Sequence, residues 1–272
     1  MSGPVYPEIK VKKKLRNGEI VNGISCNSGS PAMVEIAGYT GLDYVVIETE
    51  ISPINMEGET SVHLARAAEL GGLTAIMRVR ANDPSLISKA LSIGYQGIFV
   101  VHVNSKEEAL SVVKAAKYPP MGTRSSGPGR HLGRHRYAVR MKEYVDYWNR
   151  ESIVMFIVES KEGVENLEEI VTVPGIDIMG IGQGDLSTDL GDPGAPRFGN
   201  SYCVKAVEKL LSLCTPRGIA VRDFFSDLDE AKKWYDKGIR VFEWGFDLRI
   251  FQSAVKDIVG KADTLRNWAK KK

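Results

Sequence analysis

Cysteine is scarce in this chain of 272 residues. Its three cysteines, Cys26, Cys203 and Cys214, are an odd number without C-x-x-C spacing, which argues against a disulfide framework and a zinc site. No uninterrupted apolar run approaches the ~20 residues that cross a bilayer. The stretch from Met1 to Arg16 turns polar and lysine-rich, where a secretory signal needs an apolar centre. Charge of one sign is lacking as well: 36 Lys plus Arg against 34 Asp plus Glu leave +2. A nucleic-acid partner calls for a basic face rather than that balance. What is present, 43% hydrophobic and 26% charged residues, is an ordinary globular composition, enough for one large domain or two small ones. The expectation is a cytoplasmic protein that handles a small molecule, with neither nucleic acid nor membrane as partner.

Short apolar runs alternate with amphipathic stretches along the whole chain. The runs are Ile20–Ile24, Tyr44–Ile47, Thr74–Met77, Gly97–Val101, Ile153–Val158, Ile176–Ile181, Gly218–Val221 and Val241–Trp244. Each is rich in Val, Ile or Phe and too short for a helix, as strands buried on both faces are. Between them lie helical patterns, several opening at Asp83-Pro84-Ser85, Ser105-Lys106-Glu107 and Ser160-Lys161-Glu162, where Asp or Ser suits the N-cap. Eight strand–helix units of about 34 residues predict an α/β fold, a (β/α)8 barrel over 1–272 as a single domain. A doubly wound open sheet has the same periodicity, but no G-x-G-x-x-G follows the first strand. The longest irregular stretch, 118–136, carries two adjacent prolines and four arginines and is a candidate active-site loop. Lys12–Lys14 and Lys270–Lys272 read as solvated ends.

A barrel of this kind keeps its reactive groups at the C-terminal strand ends. There the sequence places Glu48 and Glu50, Arg78, His102, Glu159, and the run Gly182-Gln183-Gly184-Asp185. Glu159 and Asp185 are 26 residues apart, the spacing of consecutive units, which sets them side by side. Two carboxylates with waters and a chelating substrate suit Mg²⁺ or Mn²⁺; a pair of solvated or lysine-paired carboxylates is the competing reading. Arg78 suits a 2-oxo acid whose enolate charge must be stabilised, or forms a rim salt bridge. The turn at Gln183 and Gly184 leads into a helix start whose N–H groups suit a substrate carboxylate. His102 is a candidate base, with a structural role as the alternative. His131 and His135, with Arg124, Arg130, Arg134 and Arg136, mark the long loop as a place for a second anionic substrate, or for a solvated or intersubunit contact. His63, on a helix, is expected to pack.

Taken in order, Tyr44-Val-Val-Ile-Glu-Thr-Glu50, Met77-Arg78 with Asn82-Asp83, Tyr118-Pro-Pro-Met-Gly-Thr-Arg124, Ile157-Val-Glu159-Ser160 and Ile181-Gly-Gln-Gly-Asp185-Leu186-Ser187 form a linked set. It resembles the HpcH/HpaI aldolase family, the metal-dependent pyruvate aldolases with macrophomate synthase-like and citrate synthase-like relatives, over roughly residues 10–255. The resemblance implies a (β/α)8 barrel whose C-terminal helix, here the 246–270 region, is swapped between partners in a homo-oligomer, commonly a hexamer. It implies Glu159 and Asp185 as ligands of Mg²⁺ or Mn²⁺ and Arg78 over the 2-oxo group. It also implies that the backbone around Gly184 and Asp185 holds the substrate carboxylate.

The departures are specific. The family's Asp-Gly-Glu-His run, whose histidine is the general base, is here Glu48-Thr49-Glu50-Ile51. The acid that assists that histidine is Ser92, and the usual proline after the fourth strand is His102. The expectation is therefore a metal-dependent carbon–carbon lyase working through a pyruvate enolate, with Arg78, Glu50 and His102 catalytic and Gln183, Gly184 and Arg124 binding substrate. An oxaloacetate-type decarboxylase or condensing enzyme is the alternative, since losing carbon dioxide makes the enolate without a base. A non-catalytic 2-oxo-acid-binding barrel is a third reading.

Overall fold

The computed structural model describes residues 6, 9–127, 130 and 140–272. Eight parallel strands close into a barrel in chain order: β1 (Val21–Cys26), β2 (Tyr44–Glu48), β3 (Thr74–Val79), β4 (Gly97–Val100), β5 (Ile153–Val158), β6 (Ile178–Ile181), β7 (Ala220–Phe224) and β8 (Val241–Phe246). The expected (β/α)8 barrel is the observed fold. Several strands run beyond their apolar core, so that Glu48, Arg78 and Phe246 belong to strands.

The helices follow their capping signals. Helix α1 (Lys10–Arg16) precedes the barrel; α2 (Pro31–Tyr39), α3 (Glu59–Leu70), α4 (Pro84–Ser92) and α5 (Lys106–Ala116) follow the first four strands. The second half carries α6 (Met141–Glu151), α7 (Lys161–Glu165), α8 (Leu167–Ile170), α9 (Gln183–Asp189), α10 (Ser201–Cys214), α11 (Leu228–Lys237) and α12 (Asp247–Ala269). Asp83 caps α4 by accepting from Ser85 N at 2.7 Å. Ser105 does the same for α5 and Ser160 for α7, at 3.2 and 3.0 Å, satisfying N–H groups that a helix start leaves free.

Strand alternation sorts side chains into two cores. Val45, Ile47, Met77, Ile98, Phe156 and Met179 pack outward under the helices. Tyr44, Val46, Ile76, Phe99, Met155 and Ile178 fill the barrel. Gly23 makes room inside, because a Cβ there would lie 2.6 Å from the Tyr44 ring. Two charges also stand in the interior: Arg222 pairs with Glu243 at 2.5 Å, and Ser25 Oγ donates to Glu243 at 2.5 Å. An unpaired ion there would be strongly destabilising.

Helix α1 lies across the N-terminal end of the barrel. Lys12 bonds Asp177 at 2.8 Å, and Lys10 and Lys14 both reach Asp43, at 3.1 and 2.9 Å. The expectation of a solvated lysine run fails for Lys12 and Lys14, because their partners come from loops that sequence alone does not bring near. Helix α12 leaves the barrel instead. Of its residues only Asp247 is buried, and Leu248, Ile250, Phe251, Ile258, Leu265 and Trp268 are about half exposed or more. Among the described residues no helix is long and apolar enough to cross a membrane.

At the same N-terminal end, Lys117 is buried and donates to the Ser152 carbonyl at 2.7 Å. Burial pulls its ammonium down to about 7 from the ordinary 10.5. Between those values the unfolded chain binds the extra proton, so this group makes stability rise with pH from about 7 toward 10.5. In urea unfolding at pH 7 and 9.5, wild type should gain stability relative to Lys117→Met at the higher pH. A difference that stays constant across that window would disprove the shift.

Candidate active site

The C-terminal rim gathers most of the residues picked out by the sequence. Arg78 projects from β3 between two acids of the β2 end, Glu50 at 2.5 Å and Glu48 at 3.3 Å. Its guanidinium also lies 5.3 Å from the centroid of the Phe99 ring, which Arg222 approaches from within the barrel at 5.2 Å. Such stacking fixes a planar cation as well as a hydrogen bond does. Glu48 is fully buried and accepts from the N–H of Glu50 at 2.7 Å. Burial raises its carboxyl, while Arg78 and the two backbone donors pull it back.

His102 links this group to β5. Its backbone is left-handed, with φ 54°, a conformation rare for a residue with a side chain. Its N–H donates to Glu159 Oε1 at 3.0 Å, and its ring Nδ1 lies 3.0 Å from the same oxygen. Ring Nε2 faces Glu50 Oε1 at 3.4 Å. Arg78, Glu50, His102 and Glu159 therefore form one connected chain of charged and polar groups.

Glu159 is 3% exposed. Burial pushes its carboxyl up to about 7; His102 and Arg78 act against that, and Asp185 adds to it. Its second oxygen, Oε2, is buried without a hydrogen-bond partner. Gly182 stands against that oxygen, where a Cβ would come within 2.4 Å. Gly184 has no such constraint, since a Cβ there would meet nothing within 4 Å. The glycine that the site requires is thus Gly182. Asp185 is exposed in the first turn of α9.

Two expected substrate contacts are placed elsewhere. The Gln183 side chain turns away from the rim, donating to Asp223 at 2.7 Å and accepting from Phe198 N at 2.8 Å. Arg124 does not join the cluster. Its N–H bonds the carbonyl of Lys117 at the N-terminal end of the barrel, and its guanidinium lies 4.5 Å over the Tyr118 ring. Burial lowers that guanidinium to about 10. Arg130, in the same stretch, pairs with Glu69 near the end of α3 at 2.7 Å. The described part of 118–136 therefore runs along the face opposite the rim, away from a lid position. His131, Arg134, His135 and Arg136 lie outside the described residues. His63 is exposed rather than packed.

Sequence reasoning gave Glu48 no catalytic or binding role, although its position at a strand end marked it. It also missed Arg222 and Glu243, whose signal was a lone charge of each sign at inward positions of β7 and β8.

A closed parallel barrel carries its reactive groups at the C-terminal rim, and here that rim gathers carboxylates and an arginine. A family model described as HpcH/HpaI aldolase/citrate lyase matches residues 23–254, and the chain belongs to that family. It is 33% identical to a pyruvate aldolase of Rhizobium etli over 216 residues, 78% of this chain and 82% of that one. It is 36% identical to a 2-dehydro-3,6-dideoxy-6-sulfogluconate aldolase of Pseudomonas putida over 169 residues, 62% of this chain and 64% of the relative. The crystal structure of citrate synthase SbnG superposes with a TM-score of 0.85 at 28% identity, covering 96% of this chain and all of that one.

Gly182→Ala should destabilise the protein by about 1–3 kcal/mol, because the methyl group forces the Glu159 carboxylate to move. The same change in a Glu159→Gly background, which removes both the carboxylate and the Glu159 Cβ that would lie 2.6 Å from the new methyl group, should cost markedly less. A double-mutant cycle from thermal unfolding reads the coupling; additive effects would mean that the contact carries no constraint.

Proposed function

We propose that the protein is a divalent-metal-dependent carbon–carbon lyase that acts on a 2-oxo acid through a pyruvate enolate. The observation that carries this reading is the Glu159 carboxylate, buried beside Asp185 with one oxygen left without a partner. Mg²⁺ uses one or two carboxylates and completes its shell with waters and substrate oxygens. Glu159 and Asp185 fit that demand. Among the described residues no group of three or more His, Cys, Asp and Glu offers a cage made by protein alone. When bound, the ion would supply Lewis-acid polarisation of the substrate carbonyl.

The remaining roles belong to the chain. Arg78 places a fixed positive charge where the enolate oxygen develops, and Glu48, Glu50 and Phe99 hold it there. A preorganised donor of this kind costs no reorganisation during the reaction. The open backbone at Gly184 would seat the substrate carboxylate. His102, between Glu50 and Glu159, is the group placed to move a proton. The apolar surface of α12 fits a helix exchanged between copies in a homo-oligomer.

The second reading, an oxaloacetate-type decarboxylase or a condensing enzyme, is favoured by one residue. Ile51, where the family has its base histidine, is 72% exposed at the rim and cannot take a proton. The similarity to citrate synthase SbnG points the same way.

Pyruvate release from oxaloacetate and from a panel of 4-hydroxy-2-oxo acids, under Mg²⁺, Mn²⁺ and EDTA, separates the readings. Metal-dependent release from the hydroxy acids supports the aldolase, and release from oxaloacetate alone supports the second reading. Binding of Mn²⁺ and oxalate without any turnover would leave a binding barrel. Asp185→Ala should abolish the metal-dependent rate, and Arg78→Met should lower kcat about 10²–10³-fold. Retained activity in Asp185→Ala would end the metal assignment.

Light scattering tests the assembly. Phe251→Asp with Ile258→Asp should yield a smaller species than wild type. An unchanged mass would remove α12 from the interface.

A further inference from the structure

Outside the rim cluster, a closed ring of polar contacts lies beside the start of α9. Asp223 is fully buried on the outer side of β7. It accepts from Gln183 Nε2 at 2.7 Å and from Phe224 N at 2.7 Å, and it is ion-paired with Arg197 Nη1. The other end of the Gln183 amide accepts from Phe198 N at 2.8 Å, so both ends of the amide are used. Phe198 follows Arg197 directly and has a left-handed backbone, φ 61°. Its ring stacks between Trp234 at 4.6 Å and Phe225 at 5.7 Å. Asn200 donates to Asp192 at 2.9 Å and ties the ends of this loop together.

The ring fixes a four-residue turn. Gly182 abuts the unpartnered oxygen of Glu159, Gln183 is locked into the ring, and Asp185 stands two residues further on. A rotation of Gln183 would move Asp185 relative to Glu159. A buried carboxylate holds such a bond firmly only while its own charge is compensated, and Arg197 supplies the direct ion pair to Asp223.

We propose that Arg197 and Asp223 are positioning residues that set the separation of Glu159 and Asp185 through Gln183. The inference rests on the proposed function, in which these two carboxylates hold a divalent cation. Partners that orient ligands commonly change metal affinity 10–100-fold when they are removed.

The test is Mn²⁺ affinity of the full chain, read by the electron paramagnetic resonance signal of free Mn²⁺, with no substrate present. Arg197→Met and Asp223→Asn should raise the Mn²⁺ Kd about tenfold or more. Arg197→Lys, which keeps the charge, should recover most of that loss. Gly23→Ala serves as a control that strains the barrel interior away from the ring, and its Kd should stay near wild type. Should Asp223→Asn fail to fold, the two Arg197 variants decide the question, since that side chain is one-third exposed. An Arg197→Met Kd within twofold of a wild type that binds Mn²⁺ overturns this inference alone. A wild type that binds no Mn²⁺, or binding that survives Asp185→Ala, overturns the metal reading and this inference with it.

Discussion

The rim holds more negative charge than its own residues can balance, and the rest of the site is arranged around that excess. Glu48, Glu50 and Glu159 surround one guanidinium, that of Arg78, and Asp185 adds its charge beside Glu159. Three of the four acids are largely removed from water, where an isolated carboxylate is costly. The protein answers in two ways. Arg78 is gripped by Glu50 and Glu48, and Glu159 has its carboxyl pushed up to about 7 by burial. A divalent cation would do the work that a proton does in its absence. That is why one unpartnered oxygen of Glu159 says more about function than the number of acids nearby.

The barrel beneath makes this excess tolerable. Phe99 lies between Arg78 above and Arg222 below, and Arg222 is itself held by the buried Glu243. Two cations thus share one aromatic ring from opposite ends, each paired with its own acid. Fixed charges separated by a packed ring keep their geometry when substrate arrives, which is the condition for electrostatic stabilisation of a developing anion.

The alternation of apolar runs made the barrel legible, and the caps at Asp83, Ser105 and Ser160 located three helices to the residue. The rim residues were legible for the same reason: a strand end is a local feature, and the residues just beyond it face the site. Pairings across the barrel were not. Lys12 finds Asp177, Gln183 finds Asp223 and Arg222 finds Glu243 only once separate elements are packed together, so no local pattern carries those contacts. Arg124 shows the opposite error. Its motif sits in a long, glycine- and arginine-rich stretch that reads as a lid, yet the chain there returns to the N-terminal face, where the guanidinium settles on Tyr118.

Ile51 and His102 together define what the proposed chemistry can ask of protons. Retro-aldol cleavage needs a base for the 4-hydroxyl proton, whereas loss of carbon dioxide needs none. Both leave an enolate that must then take a proton at carbon. His102 has Nδ1 facing Glu159 and Nε2 facing Glu50, two acceptors when those acids are ionised. A neutral imidazole offers a single N–H, so in that form the ring can donate to only one of the two carboxylates. The imidazole thus stands between two carboxylates, while the position where the family has its base histidine carries an isoleucine. Under the proposed decarboxylase or condensing reading, that asymmetry would keep enolate formation and leave its trigger to the leaving group.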